Sequence, residues 1–149
     1  MTPHISIITL GVKDVAASTE FYEKLGFPVE PSGKITFITT SPTSKLALYG
    51  LQDLAQDAGV EAQTGSFSGI TLAHNVVSKE QVDAVIEEAR NIGARITDEP
   101  HEREWGGYSG YFQDPDGYLW EIGFNPFDPE IAVDEGKPRE KQSSTDPNS

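Results

Sequence analysis

The residue best placed to do chemistry is a single carboxylate in an apolar strand. The run Phe112-Gln113-Asp114-Pro115-Asp116-Gly117 leads into Tyr118-Leu119-Trp120-Glu121-Ile122, which sets Glu121 between two large apolar side chains. A carboxylate there is poorly solvated, which suits a general base or a hydrogen-bond anchor. The plainer alternative is an acid satisfied by Tyr or Thr hydroxyls across the fold. Strand side chains alternate between faces. If Phe112 packs on helices, then Ser109, Tyr111 and Gln113 face inward. Thr9, Thr71 and Asn75 are expected to join them from paired central strands, and Trp105-Gly106-Gly107-Tyr108 reads as a flexible aromatic lip. For Trp105 the alternative is a surface staple holding its own loop. The candidate set is Glu121 as the catalytic group, with Thr9, Thr71, Asn75, Trp105, Tyr108, Ser109 and Tyr111 as ligand-binding groups.

Two segments of the chain share one grammar, β-α-β-β-β, and position these residues. The first has a strand over 5–12, a helix over 14–25, Gly26, and short strands over 27–30, 34–40 and 45–49. The second has a strand ending at Val76, a helix over 79–92, Gly93, and strands over 94–97, 108–113 and 118–124. Val12 matches Val76 and Gly26 matches Gly93, as in a diverged duplication. Asp14 is the expected N-cap of the first helix, and Ser78 with Gln81 forms an S-x-x-Q capping box for the second. Val82, Val85, Ile86, Ala89 and Ile92 make an apolar stripe at helical spacing. Asp114-Pro115-Asp116-Gly117 is a hairpin turn. Residues 51–66 form a linker with one short helix, and 126–149 lack apolar periodicity and read as a disordered acidic tail. The fold class is therefore α+β in one domain over 1–125, with modules at about 5–50 and 68–125.

The chain has 149 residues, a formal charge of −13 and no cysteine. That length supports a core without disulfides, and thiolate metal ligation is excluded. Six acids against three bases lie from Pro126 onward, which leaves −10 on residues 1–125. Such a surface repels phosphate backbones and anionic membranes, so no nucleic-acid or membrane partner is expected. The N-terminus MTPHISIITLGV lacks a basic region followed by a long apolar run, and no stretch is long enough for a membrane span, so the expected location is cytoplasmic.

The stretches TLGVKDVAASTEFYEKLGF (Thr9–Phe27) and GYFQDPDGYLWEI (Gly110–Ile122), in this order and on a duplicated module, resemble the vicinal oxygen chelate superfamily of glyoxalases, bleomycin-resistance proteins and extradiol dioxygenases. The resemblance covers about residues 5–125. It implies that the two modules curl their sheets around a cavity with helices outside, that a small molecule binds there, and that the protein is a homodimer. It also implies metal ligands on inward strand positions, which here are Ile7, Thr71 and the stretch Ala47–Tyr49; only Glu121 keeps a donor. Parity puts His4 out of phase with Ile7, and turns His74 toward the helices as a hydrogen-bonded structural histidine. His101, in the charged run His-Glu-Arg-Glu, has a route inward.

Three functions follow. The first is a glyoxalase-like protein that binds a small organic molecule without metal or other cofactor, with proton transfer at Glu121 as a lyase or isomerase. The second is a non-enzymatic, bleomycin-resistance-type binder of cationic drugs, which requires acids clustered in the groove. The third, a metal-dependent lyase or dioxygenase, requires ligands that the sequence does not supply.

Overall fold

Helix starts fall where the sequence supplies caps. A computed structural model of the protein describes residues 1–63 and 66–137. After strand β1 (Ile7–Val12), Asp14 accepts the amide of Ala17 at 3.0 Å and opens α1 (Val15–Lys24). Strands β2 (Val29–Ser32), β3 (Ile35–Ser41) and β4 (Ser44–Gly50) complete the first module, and α2 (Leu51–Ala58) follows directly. The second module is β5 (Thr71–Asn75), α3 (Lys79–Asn91), β6 (Arg95–Glu102), β7 (Tyr108–Gln113) and β8 (Leu119–Phe124). The β-α-β-β-β duplication and the α+β class are thus as the sequence indicates. Strand β6 runs longer than expected and absorbs Pro100 and His101.

Each module is a four-stranded sheet, ordered β1-β4-β3-β2 and β5-β8-β7-β6. In each, the first strand runs parallel to the last and the other neighbours are antiparallel. This corrects one expectation. Strands β1 and β5 are not paired at the centre of one curved sheet but are the edges of two separate sheets, which do not close around a cavity within the chain. The faces that carry the helices turn instead toward one shared core. Leu10, Val12, Ile38 and Leu48 from the first sheet join Val82, Ile86, Phe112, Trp120 and Ile122 from the second module in a single buried cluster.

Helix α1 is the link between the modules. Phe21 sits 6.5 Å from Phe112, and Tyr22 and Phe27 lie 6.2 and 5.6 Å from Trp120, ring centre to ring centre. The fully buried Tyr22 hydroxyl donates to Asp114 Oδ2 at 2.7 Å and accepts the Trp120 indole N–H at 3.1 Å. Asp114 Oδ1 accepts the amides of Asp116 and Tyr118, both at 2.9 Å, and Gly117 takes φ +87° to close the hairpin turn. Burial raises the Asp114 carboxyl above the usual carboxylate value, with the Tyr22 and backbone donors opposing it. Tyr118 adds a second tie across the modules by donating its hydroxyl to the Gly11 carbonyl at 2.9 Å.

The tail also differs from expectation up to Lys137. A short 3-10 helix spans Pro129–Ile131, and Val133 then extends sheet two by pairing with Val76, its amide donating to the Asn75 carbonyl at 2.8 Å. Gln81 explains how a segment without apolar periodicity is held. Ser78 caps α3 by accepting the Gln81 amide at 3.2 Å, but the Gln81 side chain does not complete the capping box. Its Nε2 donates to Asp134 at 2.8 Å and its Oε1 accepts the Glu135 amide at 3.0 Å. The part of the expected tail from 138 to 149 lies outside the described residues.

Three outcomes are expected. Tyr22→Phe strands the buried Asp114 Oδ2 and the Trp120 N–H together, and should cost about 2–4 kcal/mol in urea unfolding. Ser18→Ala should cost nothing or stabilise, because the fully buried Ser18 hydroxyl has no hydrogen-bond partner among the described residues. Removing residues 126–149 should lower the melting temperature by at least about 3 °C, through loss of the β-bridge and the Gln81 contacts, as read by calorimetry.

Candidate functional site

Five of the candidate residues, Thr71, Asn75, Ser109, Tyr111 and Glu121, share the face of sheet two that points away from the helices. Register sets Tyr111 opposite Glu121 across β7–β8, Ala73 opposite Glu121 across β5–β8, and Asn75 opposite Gly123. The centre of this face is Gly123. A Cβ there would lie 3.2 Å from Asn75 Oδ1, 3.6 Å from Glu121 Oε1 and 3.8 Å from Ser109 Cβ. A larger residue would crowd the Asn75 side chain, whereas glycine leaves a shallow floor beside Asn75 and Glu121.

The Tyr111 hydroxyl donates to Glu121 Oε2 at 3.0 Å, so the half-buried carboxylate is anchored and keeps Oε1 toward the floor. Burial, then the hydrogen bond to Glu121, pushes the Tyr111 phenol above its usual value, so it acts as a donor at neutral pH.

Arg103 is the group that sequence reasoning missed. Its guanidinium lies 5.6 Å over the Tyr111 ring. It donates from Nε to Ser109 Oγ at 2.7 Å, and from one terminal nitrogen to the Ser109 carbonyl at 3.1 Å and Asp98 Oδ2 at 2.8 Å. The Arg103 guanidinium beside Asp98 holds that carboxyl below its usual value, helped by His101, whose Nε2 lies 3.2 Å from the same oxygen. His101 is exposed and bonded at Nδ1 to the Glu102 carbonyl, so it does not reach the floor. A signal for Arg103 existed, since it is the cation in the His-Glu-Arg-Glu run, but that run reads as a solvated loop.

Several expected members stand elsewhere. Thr9 is on the first sheet, exposed, and separated from the Gly123 floor by the failure of β1 and β5 to pair. Thr71 shares the face of Glu121 but sits exposed at the start of β5, opposite Leu119. Tyr108 has the opposite parity to Ser109, so its hydroxyl reaches α3 and donates to Asp83 at 2.7 Å. That hydrogen bond, with burial, pushes its phenol up to about 12. Trp105 forms no lip; its ring folds over Gly107, where an added Cβ would meet ring carbons at 1.9 Å, so it staples its own turn. His74 faces the helix side, and its Nε2 lies 2.5 Å from Glu135 Oε1.

The positions where the resemblance implies metal ligands do not fit a metal centre. Ile7 offers no donor, Thr71 is a neutral hydroxyl, and Ala47, Leu48 and Tyr49 offer no carboxylate or imidazole. Among the described residues no group of three His, Cys, Asp or Glu side chains converges.

A duplicated β-α-β-β-β chain with an acid–tyrosine pair on the open face of its second sheet defines a class, and comparison with known proteins gives the family. The family model for the Glyoxalase/Bleomycin resistance protein/Dioxygenase superfamily matches residues 4–122, and the chain belongs to that superfamily. It is 35% identical to a glyoxalase-related enzyme from Fulvimarina pelagi, over 83% of this chain and 88% of that one, with a TM-score of 0.74. A glyoxalase/bleomycin resistance protein/dioxygenase from Nocardioides is 28% identical over 94% of this chain and 90% of its own, with a TM-score of 0.69. An uncharacterised protein of Mycobacterium bovis is 27% identical over 83% of this chain and 81% of its own.

The Asp98 shift has a testable sign. A depressed carboxyl contributes stability that is present above its unfolded value of 3.8 and lost as pH falls through the lower folded value. Carboxyl NMR should give Asp98 a midpoint below 3.8, and Arg103→Gln should return it toward that value.

Proposed function

We propose that this chain is a metal-independent, glyoxalase-like lyase or isomerase that binds a small carbon acid on the Gly123 floor and removes its proton with Glu121. The anchored Glu121–Tyr111 pair beside a glycine floor is the observation that carries this reading. In the proposed step, Glu121 takes a proton from a carbon next to a carbonyl, and the C–H electron pair moves to the carbonyl oxygen as an enolate. Arg103 lies on the same face and offsets the charge that develops there. Return of the proton to the same carbon on its other face, or to a neighbouring carbon, gives isomerisation; expulsion of a β-substituent gives a lyase. Asn75 orients the substrate through its side-chain amide at the floor's edge, and the buried Ser109 acts behind it by holding Arg103.

The floor is open on the β5 side, where Thr71 and Ala73 are exposed. Among the described residues the edge of β1 has no strand partner and that of β5 is met only at its end, by Val133 beside Val76, while Ile5, Ile7, Ile8 and Ile70 are exposed near them. Free edges with apolar side chains favour pairing with another chain. A homodimer in which β1 of one copy lies beside β5 of the other would bring Thr9 of the second copy over the Gly123 floor. A cationic drug is the weaker choice for this face, because Glu121 is the one carboxylate at the floor while Asp98 is taken by Arg103, and a binder of cations needs clustered free acids.

Glu121→Gln separates these readings. If Glu121 is the base, the variant should bind a carbon-acid ligand found by screening as the wild type does, and lose turnover by about 100-fold or more. Loss of affinity itself would instead mark Glu121 as a ligand anchor. Unchanged turnover would end the proton-transfer reading. Sedimentation should show a dimer that Ile7→Asp disrupts.

A further inference from the structure

The docked tail stands at an edge where the second sheet could take a further strand. Val76 gives its amide to the Gly123 carbonyl at 2.8 Å, so its backbone faces β8. Asn75, one residue earlier, turns its carbonyl to the open side and accepts the Val133 amide at 2.8 Å. The same alternation turns the backbone of Thr71 and Ala73 outward, and among the described residues no strand meets them there. Of the outward positions of β5, the tail thus takes Asn75 and leaves Thr71 and Ala73.

What holds the tail is polar and replaceable by water. Gln81 grips it with both ends of its side-chain amide, at Asp134 Oδ1 and at the Glu135 amide, and His74 Nε2 lies 2.5 Å from Glu135 Oε1. Val133 and Ile131 remain exposed, and among the described residues none after Phe124 joins the buried core cluster. A segment held in this way lifts without opening the core.

We propose that residues 131–135 form a strap that competes with a second copy of the chain for the β5 edge. While the strap is down, Val133 occupies Asn75 and limits an incoming strand to Thr71–Ala73. When it lifts, β1 of a second copy pairs along the whole of β5. That strand suits the role because its own edge has no partner among the described residues and carries the exposed Ile7 and Ile8. A tethered segment has an effective concentration on the order of millimolar, so the strap prevails over a dilute second copy and yields as the chain concentrates. Asn75 also borders the Gly123 floor, so the exchange takes place at the edge of the candidate site. The inference rests on the homodimer reading for the identity of the competing strand, and not on turnover at Glu121.

Two full-length variants lift the strap by different contacts. Val133→Pro removes the amide that Asn75 accepts, and Ala132 before it, at φ −84° and ψ 141°, already has the extended backbone that precedes a proline. Gln81→Ala releases Asp134 and Glu135 from α3 without touching either strand edge. In sedimentation equilibrium, each variant that keeps the far-ultraviolet circular dichroism of the wild type should self-associate about fivefold more tightly or better. Adding Ile7→Asp to Val133→Pro should cancel that gain. Self-association unchanged or weakened in either folded variant would overturn the strap, and a gain that survives Ile7→Asp would overturn β1 as the competitor. A wild type that stays monomeric while both variants associate would support the strap and end the homodimer reading instead.

Discussion

The Tyr22–Asp114 hydrogen bond is the constraint on which the arrangement depends. It joins a helix of the first module to the hairpin turn of the second, and both groups are buried. One carboxylate there meets four demands. It accepts the Tyr22 hydroxyl, it accepts two amides of its own turn, and through Tyr22 it fixes the Trp120 indole. Such a group is expensive to bury unless every lone pair is used, and here each oxygen has a donor. Trp120 is held against α1, so the next residue, Glu121, must point to the opposite face. The orientation of the candidate base is set by a hydrogen bond behind the sheet.

The same constraint governs what the chain leaves exposed. Since the helix-side faces of both sheets share a core, the other faces point outward, and the chain does not wrap them around a ligand by itself. The second sheet nevertheless collects an anchored acid, a tyrosine and an arginine on one surface. Its other surface gives Phe112, Trp120 and Ile122 to the shared core. A sheet that keeps polar groups on one face and core on the other needs strict alternation, and β7 and β8 keep it without a bulge.

Much of this was legible in the sequence, because the periodicities are strong. Alternation alone turned Tyr111 and Glu121 to one side and His74 to the other, and the Asp114 turn announced the hairpin. The same rule applied to Tyr108 would have removed it from the site, one residue from Ser109. Arg103 was hidden for another reason. It lies beyond β6 and folds back on Ser109 and Asp98, and no local spacing encodes a return of that kind. Nor does periodicity state which strand edges meet, so the separation of β1 from β5 was invisible. The tail escaped notice because it is held by one β-bridge and the amide of Gln81, a side chain whose position in the sequence suits a helix cap equally well.

Tyr22 and Asp114 are 92 residues apart in the chain, and that separation bears on how the molecule comes together. Closing a loop of that length is slow compared with forming either helix or either antiparallel hairpin. Each module assembles its local pairs first, with its aromatic and aliphatic side chains still uncovered. By the same reasoning, docking of α1 onto Trp120 and Phe112 is expected to come late and to bury them. A newly made chain is therefore most prone to aggregation while residues beyond the Asp114 turn are unfinished, and the duplicated modules, though alike in pattern, depend on each other for a core.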